Sequence, residues 1–273
     1  AQRVLDNLEN KRKLETKILK QVGILIQMPA KKSAMHDVAA IKYSNLSLRF
    51  DLENLPVLWL GESNDAESIA LLQKIYTASD SSILKARAVS AIGLHDSDDL
   101  VMPHLREFAL HGEASKIRKE AIYRLSQRNN DQVLPILEKA AFNDKQHAVQ
   151  KEAVYRISNK KSAQSFAILK KIATTHKVRS LRKEAIYRIS LRKNTPQTSE
   201  FLLEIVFNDP DRSLQKEALY RLTLLRPEQS TQLLIKIAET HATASIRKEA
   251  IYRLGRKKHP KAKKVFIELL EER

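Results

Sequence analysis

The sequence predicts an all-α protein, a right-handed superhelical solenoid of helical hairpins, and three observations predict it. A short segment returns five times: KEAIYR at 119–124, KEAVYR at 151–156, KEAIYR at 183–188, KEALYR at 216–221 and KEAIYR at 248–253, with starts 32, 32, 33 and 32 residues apart. Each copy follows a second apolar-periodic segment across a short polar turn, as in DQVLPILEKAAF then HAVQKEAVYRIS, so one unit is a pair of antiparallel helices. Only 5 glycines and 8 prolines occur in 273 residues, too few for the turns of a hairpin-rich β protein. A single hairpin cannot bury its apolar faces alone, so the units must stack into a quasi-one-dimensional array whose end units differ in order to meet water.

The elements follow in chain order. Residues 1–50 hold a long helical pattern, RVLDNLENKRKLETKILKQVGILI, and a less regular stretch around Pro29, which reads as an N-terminal helical cap. The array proper covers 51–259, because one slot recurs seven times as Gly61, Gly93, Ser126, Ser158, Ser190, Thr223 and Gly255. Pro56 stands at the alanine slot of the first of these units, where its missing N–H predicts a late or kinked helix. From 260 to 273, KAKKVFIELLEER after Pro260 predicts a closing helix with a wet outer face.

Within a repeat, Ile117, Ala121, Leu125 and Ile122 share one side of the second helix at about 100° per residue, and the small Ala121 permits close helix approach. Arg118 falls inside that apolar stripe, where a guanidinium is tolerated only if it reaches a carboxylate or turn carbonyls. The slot alternates Arg118, Gln150, Arg182, Gln215, Arg247, and longer stretches agree better at a separation of 65 residues than at one repeat, so the duplicated unit is a pair. His176 and His241 recur with that pair and are expected to be capping residues of the turns inside the hairpins.

The second-helix segments IRKEAIYRLS and LRKEAIYRIS resemble the V-R-x-x-A-x-x-x-L-G pattern of HEAT repeats, and the period is similar to that of the short HEAT-like repeats of phycobilisome lyases. The resemblance covers roughly residues 50 to 273. It implies that the second helices line a concave face. Ankyrin and tetratricopeptide repeats have similar periods, but their T-P-L-H and W-x-x-L-G-x-x-Y motifs are missing.

Composition bounds the chemistry. No cysteine is present, which removes disulfides, thiolate metal sites and cysteine nucleophiles. No P-loop, dinucleotide fingerprint, H-E-x-x-H helix or nucleophile elbow occurs. In the wider HEAT-like group, deoxyhypusine hydroxylases hold iron with His-Glu pairs, and none of the 8 histidines here precedes a glutamate. Alkylpurine DNA glycosylases of the same group use tryptophans, and Trp59, the single one present, reads as a packing residue. The sequence therefore predicts a non-enzymatic chain without cofactor or metal. The longest apolar runs fall well short of a membrane span, so no membrane insertion is expected. The chain opens on Ala1 and Gln2, which fits an exported protein after processing as well as a trimmed cytoplasmic one.

Charge singles out the middle of the chain, with 14 Lys and Arg against 15 Asp and Glu in 1–114, 20 against 6 in 115–194 and 15 against 11 in 195–273. A local excess of +14 favours anionic partners. On the second helix Lys119, Glu120 and Tyr123 point away from the apolar stripe and Arg124 sits on its shoulder, so stacking turns each into a row. The candidate partner-binding rows are Lys119, Lys151, Lys183, Lys216, Lys248 and Tyr123, Tyr155, Tyr187, Tyr220, Tyr252. Two readings stay open: a groove for an acidic protein or peptide segment, with tyrosine as rigid contact area, or a ladder that braces neighbouring repeats through pairs such as Glu120 with Arg124. A scaffold for an acidic partner, acting as a monomer, is the first expectation. Nucleic-acid backbone binding is the second, disfavoured because a glutamate interrupts the cationic row in every repeat.

Overall fold

The computed structural model describes residues 24–27, 40–43, 57, 60–63, 65–192, 195–257 and 267. Two short strands, β1 (Ile24–Gln27) and β2 (Ala40–Tyr43), pair antiparallel with Ile24 opposite Tyr43. This differs from the long helix expected to run through Ile26: the segment ILIQ carries two β-branched residues and no helix-capping signal, and extended pairing suits it better. Pro56 and Trp59 lie outside the described residues, as does most of the expected closing helix.

Six antiparallel hairpins follow among the described residues. They are α1 (Ala66–Ala78) with α2 (Ser82–Ile92), α3 (Asp98–His111) with α4 (Ser115–Gln127), and α5 (Val133–Asn143) with α6 (His147–Asn159). Then come α7 (Ala163–Thr175) with α8 (Arg179–Ser190), α9 (Pro196–Asn208) with α10 (Arg212–Leu222), and α11 (Pro227–Thr240) with α12 (Ala244–Lys257). The fold is an all-α solenoid.

Local chemistry sets the helix starts. Asp65, Ser81, Ser162, Thr195 and Asp211 each accept a backbone N–H of the first turn, and Pro196 and Pro227 take first-turn positions where no N–H is required. A carboxylate at the first of these caps is held below the usual range: the Ser68 backbone N–H, 2.7 Å from Asp65 Oδ1, is the main cause.

The core runs unbroken along the array. Ile117, Ala121, Ile122 and Leu125 of α4 and their equivalents in α6, α8 and α10 are fully buried. The second helices pack directly on one another from α2 through α12, while first helices meet their neighbours loosely, most closely at α3–α5 and α5–α7. The tighter layer follows the shorter arc, so the second helices lie on the inside of the curve. The alanines make this possible, since Ala88, Ala121, Ala153, Ala185, Ala218 and Ala250 leave no accessible surface where successive second helices meet.

The alternating slot has a structural reason. Arg118 is 2% exposed and its guanidinium takes both carboxylate oxygens of Asp144, at 2.6 and 3.0 Å, together with the Gly112 carbonyl at 2.8 Å. Asp144 belongs to the next hairpin, where Gln150 Nε2 donates to its backbone carbonyl at 2.9 Å. One repeat supplies the cation, the next supplies the anion and a neutral amide. The arrangement repeats in the second pair, with Arg182 on Asp209 and on the Ala173 carbonyl at 2.7 Å, and Gln215 on the Asp209 carbonyl at 2.8 Å. A second arginine in place of Gln150 or Gln215 would crowd an aspartate that already holds one.

His176 and His241 are capping residues as expected. Each is buried, accepts a backbone N–H through Nδ1 at 3.0 Å, and sits with Nε2 on a carbonyl of the preceding hairpin, Ala141 at 3.2 Å and Val206 at 2.9 Å.

Candidate functional site

The face of the second helices is built from four residue types per repeat, lysine, glutamate, tyrosine and arginine. Glutamate and arginine four residues on form a pair within the helix: Glu120 with Arg124 at 3.0 Å, Glu152 with Arg156 at 2.6 Å, Glu184 with Arg188 at 2.6 Å, Glu217 with Arg221 at 2.5 Å and Glu249 with Arg253 at 2.6 Å. That pair holds the guanidinium over tyrosine rings. Arg156 lies 4.6 Å from the Tyr123 ring of the preceding repeat and 4.9 Å from its own Tyr155. Arg188 stands in the same way between Tyr155 and Tyr187, at 4.7 and 5.1 Å, and Arg221 between Tyr187 and Tyr220, at 4.6 and 5.0 Å. Arg124 and Arg253 close the two ends on Tyr123 and Tyr220.

The result is a continuous stack in which tyrosine and arginine alternate across five repeats. Its start has a sequence cause: α2 has Ser90 where the later helices have tyrosine, so Arg124 bends onto the Ser90 hydroxyl and its stem crosses Gly93, where a Cβ would collide with it. Tyr123, Tyr155 and Tyr187 are half-buried inside the stack, whereas Tyr220 is 39% and Tyr252 58% exposed. The ring faces of the inner tyrosines are therefore occupied by guanidinium groups, and their edges and hydroxyls are what a partner would meet.

The lysine row differs in kind. Lys151 and Lys183 reach the glutamate of the next repeat, Glu184 at 3.9 Å and Glu217 at 3.2 Å. Lys119, Lys216 and Lys248 have no carboxylate within ion-pair distance among the described residues. Four lysines of the row are exposed and Lys119 is half-buried. The ten candidate residues predicted from the repeat thus share one face, with Tyr123, Tyr155, Tyr187 and Tyr220 committed to the stack and three of the lysines free.

The turns between hairpins hold a second set of cations, and solvation by water alone would be the ordinary state of loop charges. They are cross-links instead. Arg128 donates to the Gly93 carbonyl at 2.8 Å and pairs with Asp98 at 3.2 Å; Lys160 donates to the Arg128 carbonyl at 2.5 Å. Arg192 donates to the Lys160 carbonyl at 3.1 Å and to Ser165 Oγ at 2.6 Å, and Lys257 donates to the Thr223 carbonyl at 3.1 Å. Burial pushes the Lys257 ammonium and the Arg192 guanidinium below their ordinary ranges. Sequence reading missed both the stack and these cross-links. The signal was present, because a cation stands two residues past Ser126, Ser158, Ser190 and Gly255, while the corresponding Leu225 is buried.

No group of three or more His, Asp or Glu side chains is placed to hold a metal ion among the described residues, and no helix there is long and apolar enough to cross a membrane.

The chain matches the family model for HEAT repeats over residues 102–190 and 199–273. No curated protein sequence matches it. Among solved structures it is similar to the complex of CpcE and CpcF of phycocyanin lyase from Nostoc sp. PCC7120, at 16% identity over 89% of this chain and 97% of that one, with a TM-score of 0.39. It is also similar to human deoxyhypusine hydroxylase, at 14% identity over 76% of this chain and 80% of that one, with a TM-score of 0.36. These matches correct the expectation of a non-enzymatic chain, since a lyase and a hydroxylase are among the similar structures.

Proposed function

The chain belongs to the HEAT-repeat family, and from that premise we propose that it is a protein-binding scaffold whose second-helix face holds an acidic segment of a partner. One observation carries the reading. The stack and the glutamate pairs occupy every arginine of the KEAxYR repeats, yet Lys119, Lys216 and Lys248 stand on the same rigid face with no carboxylate partner among the described residues. A braced face spends little conformational entropy on binding, and free ammonium groups fixed on it supply steering and complementarity for an anion. Successive second helices stand about 8 to 10 Å apart. An extended segment rising about 3.3 Å per residue matches that spacing with a carboxylate at every third position.

The positive excess of residues 115–194 also favours a phosphate backbone, and one titration separates the two partners. A fluorescein-labelled peptide of twelve residues with aspartate at every third position should bind at moderate ionic strength and saturate. A duplex oligonucleotide should bind weakly, without sequence preference, and lose affinity steeply with salt. Sub-micromolar duplex binding at physiological salt, with no binding of the peptide, would replace the protein partner with nucleic acid.

A further inference from the structure

The second-helix face carries a third row, one helical turn beyond the tyrosines, occupied by Gln127, Asn159, Leu191, Leu224 and Arg256, all exposed. Two of these positions break the polar pattern. Leu191 is 49% and Leu224 44% exposed, at the same slot of adjacent repeats. Both sit just past a helix end: the Leu191 N–H bonds the Tyr187 carbonyl at 3.2 Å and extends α8 by one residue, whereas the Leu224 N–H bonds the Arg221 carbonyl three residues back, at 3.1 Å, in the turn that follows α10.

The line therefore runs from Lys183 and Tyr187 on α8 to Leu191 at its C-cap, and from Lys216 and Tyr220 on α10 to Leu224 in the turn beyond it, at intervals of four residues. A rise of 1.5 Å per residue puts the lysine and leucine positions of α8 about 12 Å apart with tyrosine between them. Single exposed leucines are ordinary, but these two recur at one slot of adjacent repeats, with the exposed Tyr220 four residues before Leu224, and mark an apolar strip along the face. One border of that strip is leucine and the other is the cationic row that includes the unpaired Lys216.

We infer that the repeats of α8, α10 and α12 form a two-sided subsite for an acidic segment that also bears apolar side chains, its carboxylates facing the unpaired Lys216 and Lys248 and its apolar groups seated against Leu191, Leu224 and Tyr220. Charge complementarity selects the occupant: a plain apolar segment would leave the lysines unanswered, and a nucleic acid would leave the leucines in water. The inference rests on the acidic-segment reading above and adds where the partner is anchored. Density of positive charge alone places contacts on residues 115–194, whereas the leucines move the anchor toward the C-terminal half of the array.

Two twelve-residue peptides test it, one alternating aspartate with leucine and one alternating aspartate with serine, titrated by fluorescence anisotropy into the wild-type chain, Leu191→Ser/Leu224→Ser and Lys216→Gln/Lys248→Gln. All three proteins should show the same circular dichroism and melting, because the altered side chains are exposed. The leucine peptide should bind the wild type at least tenfold more tightly than the serine peptide, and the leucine-to-serine protein should lose that preference. The lysine variant should weaken both peptides. Equal binding of both peptides to the wild type, with loss in the lysine variant, overturns the apolar subsite and leaves the acidic-segment reading in place. A preference that persists in Leu191→Ser/Leu224→Ser overturns the assignment to these leucines. Binding of neither peptide overturns both readings together.

Discussion

At the scale of single residues, the protein spends charge on cohesion before it offers any to a partner. Arg118 and Asp144 are 2% and 3% exposed, and the pair is tolerable only because every face of the guanidinium meets an oxygen. Asp144→Ala leaves that cation buried without its counter-charge and should cost about 3 to 5 kcal/mol, read as a lowered denaturation midpoint. A double replacement of Arg118 by Met and Asp144 by Leu should cost much less. The tyrosines are a milder case. In Tyr155→Ala/Tyr187→Ala the contacts of Arg156, Arg188 and Arg221 with those rings disappear, and at about 0.5 to 1 kcal/mol for each cation–π contact the variant should be destabilised by roughly 2 kcal/mol or more. Intact stability with lost peptide binding would instead make the tyrosines contact residues in their own right.

Individual helices obey simple local rules, and two of those rules can be tested. Replacing Ala121, Ala185 or Ala250 by leucine inserts side-chain volume where second helices touch without accessible surface, at an expected cost of about 1 to 3 kcal/mol. An unchanged midpoint would deny the close approach. The cap at Asp65 adds a pH test. Its carboxyl is held below the ordinary 3.8 chiefly by the Ser68 N–H, so its contribution is complete above the unfolded value and is lost as pH falls through the folded one. Asp65→Ala should therefore lower stability by about 1 kcal/mol at neutral pH and by progressively less below pH 4. A difference that grows on acidification would contradict the cap.

Helix content, hairpin period and core stripe were all legible in the sequence, because a repeated segment displays its own periodicity many times over. Arg118 could be recognised as needing an acid, but not which one: Asp144 lies 26 residues away and comes near only when hairpins stack. The same limit hid the stack, where Arg156 meets Tyr123 across a repeat boundary, and the carbonyl cross-links of Arg128 and Arg192. Near the N-terminus, the apolar residues of ILIQ fitted a helical pattern, and only pairing with AIKY decides for a strand.

At the scale of the whole molecule, a HEAT-repeat solenoid with a stiff inner face is a scaffold fold. Its stability is close to a sum of repeat and neighbour terms, so a lesion in the middle repeats divides the array into two weaker halves. That rigidity is what turns one lysine per repeat into a regular row. The central claim, that the unpaired lysines of this face receive an acidic segment while the tyrosine–arginine stack only holds them in place, is tested most directly by titrating an aspartate-rich peptide into Lys119→Gln/Lys216→Gln/Lys248→Gln. The account predicts wild-type melting, affinity reduced at least tenfold and a flatter dependence on salt. Wild-type affinity in that variant would contradict it.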